Sequence, residues 1–83
     1  MKTTINTWEL PVGSVGVVAG YSRAYGGYTG KLITKGLTPG TCFVLLDFVL
    51  SEGVAQILLQ EKIITLSKPE VNALCVDAVE NDF

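Results

Sequence analysis

The stretch Lys35-Gly36-Leu37-Thr38-Pro39-Gly40-Thr41 leaves the middle of the chain little choice: a helix must stop, the backbone must turn and a new element must start. Gly36 suits the left-handed residue that closes a helix. With Gly36 in that place, Leu32 and Leu37 occupy the two positions between which such a cap makes its apolar contact. Thr38-Pro39-Gly40-Thr41 fits a type II turn, with proline second and glycine third. The helix before the stop therefore spans only Thr29 to Lys35. The segment after the turn, Thr41 to Leu50, reads as the longest strand. Cys42, Val44, Leu46, Phe48 and Leu50 fall on one face, and Phe43, Leu45, Asp47 and Val49 on the other. Two apolar faces predict a bent barrel strand, buried on one side and partly covered on the other.

The remaining elements are also short. Pro11-Val12-Gly13-Ser14 is a turn that opens into a β-branched strand, Val15-Gly16-Val17-Val18, with Trp8 before it as a core anchor. Tyr21 to Gly30 contains all three tyrosines, Tyr21, Tyr25 and Tyr28, together with Arg23, Gly26 and Gly27, and reads as a loop. Ser51-Glu52-Gly53 is a turn, and Val54–Leu59 and Lys62–Leu66 form a hairpin through Gln60-Glu61. Ser67 and Glu70 stand at the positions of a capping box, flanked by Leu66 and Val71 at the staple positions, so one helical turn is expected there. Leu74 to Val79 alternates as a closing strand. Positions 1–83 thus predict a single, mostly β domain: a small, partly open SH3-like barrel of about five strands, with one short helix and one helical turn.

With 83 residues there is room for one core, and 48% apolar content is enough to fill it. Lys2, Arg23, Lys31, Lys35, Lys62 and Lys68 are scattered and the net charge is −2, so a phosphate-neutralising surface is not expected. Asp77, Glu80 and Asp82 read as a solvated acidic terminus. The N-terminus has no apolar run of a secretory signal, and Phe43 to Leu50 is too short to span a bilayer. A reducing cytoplasmic setting is the expectation, with Cys42 and Cys75 as small core hydrophobes.

Chemistry for catalysis is missing. Histidine, the commonest general base and metal ligand, is absent. Two distant cysteines make no zinc knuckle. Gly30-Lys31 ends like a phosphate loop, but Tyr25 and Leu32 stand where glycine and Ser or Thr belong. The chain is read as no enzyme and as holding no cofactor. At most, carboxylates such as Asp47, Glu52 and Glu61 bind a divalent ion weakly. The tyrosines admit two readings. Either they pack over the barrel end, or they form an interface with Arg23 and with Lys31 and Lys35, four apart on the helix.

Lys31-Leu32-Ile33-Thr34-Lys35-Gly36-Leu37-Thr38-Pro39-Gly40 resembles the signature of FeoA proteins, small accessory proteins of bacterial ferrous-iron uptake. Leu10-Pro11-Val12-Gly13, Gly20-Tyr21-Ser22-Arg23, and Ile63-Ile64-Thr65-Leu66-Ser67 with Glu70-Val71 and Leu74-Cys75-Val76 after it resemble further pieces of that family, so the likeness runs from about residue 7 to residue 79. Within it Gly36, Leu37, Pro39 and Gly40 carry the structural signature. Lys35 stands where the family usually has Leu or Met, and Glu61 where many members have a hairpin glycine.

The resemblance implies an SH3-like barrel in the cytoplasm. Its partner would be FeoB, a membrane permease with its own GTP-binding domain, which would hold the chain at the inner membrane. The expected contact residues are Tyr21, Arg23, Tyr25, Tyr28, Lys31 and Lys35. Self-association stays open. Two alternatives stand beside this reading. One is a metal-responsive regulatory domain, disfavoured by the missing ligands and helix-turn-helix. The other is a nucleic-acid-binding barrel stacking bases on Tyr and Arg, disfavoured by the scattered bases and a pI near 4.8.

Overall fold

The computed structural model describes residues 3–49 and 51–79. Leu50, Glu80 and Asp82 lie outside the described residues. Six strands form one antiparallel sheet. They are β1 (Thr3–Asn6), β2 (Val15–Tyr21), β3 (Cys42–Val49), β4 (Val54–Leu59), β5 (Lys62–Ser67) and β6 (Leu74–Ala78). Helix α1 (Thr29–Thr34) lies between β2 and β3, and α2 (Lys68–Ala73) between β5 and β6. The sheet order is β1-β6-β2-β3-β4-β5. Helix α2 touches β4 and β5 near one edge of the sheet and β1 and β6 near the other. The sheet is therefore rolled around α2, the partly open SH3-like barrel expected from the strand pattern.

One strand is not legible in the sequence. Thr3–Asn6 pairs with β6, Ile5 opposite Val76. Its polar residues carry no strand-like alternation, and its pairing is with the other end of the sequence. Trp8 sits in a 3-10 turn just after it. Its indole stacks on Phe48 with centroids 4.8 Å apart, and its Nε1–H donates to the Asn72 side chain. It is a half-buried anchor for the N-terminal segment.

The core is one cluster that includes Leu10, Val18, Leu32, Leu37, Phe43, Leu45, Ile57, Leu66, Leu74 and Val76. Strict alternation along Thr41–Leu50 fails for a specific reason. The register to β4 slips between Leu45 and Asp47, so Leu46 is an extra residue. Phe43 and Leu45 face inward before the bulge. After it Phe48, opposite the buried Ala55, packs against the core. The two cysteines are not core residues. Cys42 is exposed and Cys75 half-buried, because each alternates with an inward-facing neighbour, Phe43 or Leu74 and Val76.

The local signals of the sequence are realised. Gly36 has φ +94°, Leu37 N–H donates to Leu32 C=O at 3.0 Å, and Gly36 N–H to Ile33 C=O at 2.9 Å, the two bonds of a Schellman cap. Leu32 and Leu37 are both fully buried in the core. Gly40 has φ +91° and Thr41 N–H reaches Thr38 C=O at 3.0 Å, closing the type II turn before β3. The β4–β5 hairpin turns through Gln60 and Glu61, at φ 50° and 69°, a two-residue loop with both residues left-handed.

Candidate functional site

The residues between β2 and β3 form a layer over α2. Tyr21 to Gly30 is no loop: Arg23–Tyr28 is 3-10 helical with a kink at Tyr25, φ −122° and ψ 34°. It packs on α2 and runs directly into α1. Ser22 N–H donates to the carbonyl of Ala73 at 2.7 Å, which ties its start to the end of α2. Gly26 and Gly27 therefore belong to an ordered segment, held by helical backbone bonds and by α2 beneath.

This packing splits the tyrosines. Tyr21 lies on β2, its ring against the core, and its hydroxyl donates to Leu37 C=O at 2.7 Å. Burial raises its phenol pKa above the ordinary value. Tyr28 also packs against the core, and the Lys31 ammonium lies 5.1 Å from its ring centroid. Tyr25, at the kink, is 38% exposed. Arg23 and Lys31 are exposed as well, and Ile33 on α1 also leaves an apolar side chain in solvent.

Lys35 is not free on the helix surface. Its ammonium lies 2.7 Å from Glu70 Oε2 and donates to Thr65 C=O at 3.0 Å. Glu70 is buried at the start of α2, and its Oε1 accepts from Ser67 N–H at 3.0 Å and Ser67 hydroxyl at 2.8 Å. Oε2 has no other partner among the described residues. Burial alone would raise this carboxyl's pKa. The Lys35 ammonium and the two Ser67 bonds together outweigh it and hold the pKa below the usual carboxylate value. Sequence reasoning found Glu70 as a cap but not this ion pair. A buried carboxylate needs a counter-charge, and Lys35 supplies it.

These elements enclose an open groove of about 710 Å³, lined by Gly27, Gly30, Lys31, Thr34, Lys35 and Glu70. The glycines make part of its wall bare backbone, and Thr34 spends its hydroxyl on Gly30 C=O, 2.8 Å away. The groove is lined by bare backbone, a hydroxyl already committed to a carbonyl, and the Lys35–Glu70 ion pair. It holds no nucleophile–base pair.

The candidate weak metal ligands are dispersed. Asp47 is on β3 and accepts from Phe48 N–H at 2.8 Å, Glu52 lies in the β3–β4 turn, and Glu61 at the opposite end of β4. Among the described residues no three His, Cys, Asp or Glu side chains are grouped to hold an ion. No helix there is long and apolar enough to cross a membrane.

Solved structures share this small barrel architecture, among them FeoA proteins and one domain of metal-dependent repressors. A FeoA-like protein from Clostridium acetobutylicum superposes with TM-score 0.84 at 18% identity, over 100% of this chain and 95% of that one. An iron uptake regulatory protein, FeoA, does so with TM-score 0.73 at 20% identity, over 93% of this chain and 99% of that one. A manganese-dependent transcriptional repressor contains a similar domain: TM-score 0.81 at 18% identity, over 95% of this chain but 44% of the repressor. The sequence matches no protein-family model and no curated protein. At these identities the likeness establishes the FeoA-family fold.

Proposed function

We propose that this chain is an accessory protein of ferrous-iron uptake, acting by contact with a FeoB-type membrane permease in the cytoplasm and catalysing nothing itself. The observation that carries this reading is the reciprocal span of the fold. The chain and the FeoA proteins cover one another nearly end to end, whereas it matches less than half of the repressor. The contact face is the ordered layer over α2. Tyr25, Arg23, Lys31 and Ile33 supply exposed aromatic, cationic and apolar groups, while Tyr21, Tyr28 and Lys35 hold the layer in place.

The test is ferrous-iron uptake in cells lacking the chain, complemented by wild type or by Tyr25→Ala combined with Lys31→Glu. The double variant should melt like wild type and fail to restore uptake or to retain the permease's cytoplasmic domain in a pull-down. A folded double variant that restores uptake fully would move the contact elsewhere. Wild type that has no effect on uptake would end the reading.

The likeness to part of a manganese-dependent repressor favours a second reading, a regulatory domain that responds to a divalent metal. It requires a metal to bind here, and the dispersed carboxylates argue against it.

A further inference from the structure

The outer edge of β5 is half closed and half open. The two-residue turn makes Leu59 and Lys62 a hydrogen-bonded pair, so Ile64 and Leu66 also bond to β4, while Ile63, Thr65 and Ser67 turn their backbone groups outward. Two side-chain contacts agree with this alternation. Thr65 C=O takes the Lys35 ammonium and Ser67 N–H takes Glu70 Oε1. The Lys35–Glu70 pair thus covers the far half of the edge, and the N–H and C=O of Ile63 lie in the uncovered half.

Ile63 is also the most exposed large apolar side chain among the described residues, at 66%. It ends a row of apolar side chains across the outer face of the sheet. Ile63 stands opposite Leu58, Leu58 opposite Val44, and Val44 opposite Val15. Val79 adds a fifth member through its N–H to Val15 C=O. An exposed edge carrying an apolar side chain is a template for another strand.

We infer that the open half of the β5 edge is a self-association surface, pairing antiparallel with the same edge of a second copy about a two-fold axis through Ile63. Three observations select this occupant and this register. Centring the pair on Ile63 satisfies both of its outward groups with two reciprocal bonds to the partner's Ile63. Centring it one residue on, at Ile64, would need both Thr65 carbonyls, which Lys35 occupies. With the axis at Ile63, Lys62 lies opposite the partner's Ile64, so the turn residue Glu61 just beyond it comes next to the partner's Thr65 and the Lys35 ammonium bonded there, a charge match that a second copy supplies by itself. The two Ile63 side chains then adjoin, and the apolar row runs on without a break into the second molecule.

The interface is small, so the dimer is weak and appears at high concentration. Sedimentation equilibrium from micromolar to millimolar protein should show a monomer–dimer equilibrium. Hydrogen exchange over the same range should show the Ile63 amide gaining protection while that of Ile64, already bonded to β4, does not change. Ile63→Lys, at an exposed position, should keep the wild-type melting temperature and raise the dimer Kd by at least about tenfold. Glu61→Arg, which turns the charge match into a repulsion, should weaken it in the same direction. Wild type that stays monomeric at millimolar concentration, including the case of an edge that accepts only a foreign strand, would overturn the inference. So would a dimer with unchanged Kd in both variants.

Discussion

Gly36 is held at φ +94° by two cap hydrogen bonds, and a Cβ there would also stand 3.3 Å from Leu59 Cδ2. Gly36→Ala should therefore lower the unfolding free energy by about 1 kcal/mol or more, read from urea denaturation. An unchanged midpoint would mean that the cap relaxes without cost. Gln60 and Glu61 present the reverse case, since both sit at positive φ with side chains that disfavour it. Replacing the pair by Asn-Gly should stabilise the hairpin by about 1 kcal/mol in the same assay. At this scale the sequence is most legible, because caps and turns are decided within a few neighbouring residues. The cysteines escape it because burial of a small apolar residue depends on which face its strand turns inward. A single bulge or edge changes that without leaving a mark on composition.

Helices α1 and α2 are too short to be stable by themselves, and their mutual anchor is the ion pair Lys35–Glu70. Glu70 has a lowered pKa in the folded chain, so it binds its proton more readily once unfolded. The stabilisation it gives is present above the unfolded pKa and is lost as pH falls through the folded one. Lys35→Met removes the counter-charge, and stability at neutral pH should fall by about 1–3 kcal/mol. The acid-induced decline should then be smaller than in wild type, because the folded pKa of Glu70 rises toward the unfolded one while the unfolded one stays put. Urea midpoints across an acidic pH series would show both effects, and superimposable pH profiles would refute the assignment. Glu70→Gln should remove this contribution to the acid limb altogether. The capping box is visible in sequence through Ser67 and Glu70. The partner of Glu70 is not, since it comes from another helix far along the chain. The ordering of Tyr21 to Gly30 is hidden likewise: glycine pairs signal a loop, and only the docking on α2 turns the segment into helix.

For the molecule as a whole, the dispersed carboxylates set an expectation for metal. Calorimetric titration with ferrous or zinc ion should give no submicromolar site per chain, and one such site would revive the regulatory reading. The barrel class is legible because several short alternating segments with turn signals leave few other solutions. The sheet order is not, because it depends on which distant segments meet. That order has a consequence for how the chain comes to be folded. Strand β6 lies between β1 and β2, yet it is the last of the six to be synthesised, and β1 has no other neighbour in the sheet. Strand β1 must therefore wait, unpaired, until Leu74–Ala78 has left the ribosome and can slot between two segments made long before. Contacts of such sequence separation make folding slow for so small a protein. The amides of β1 should become protected together with those of β6, late, in pulse-labelled refolding. During that interval the inner edge of β2 stands bare, and the nascent chain is most open to the wrong strand.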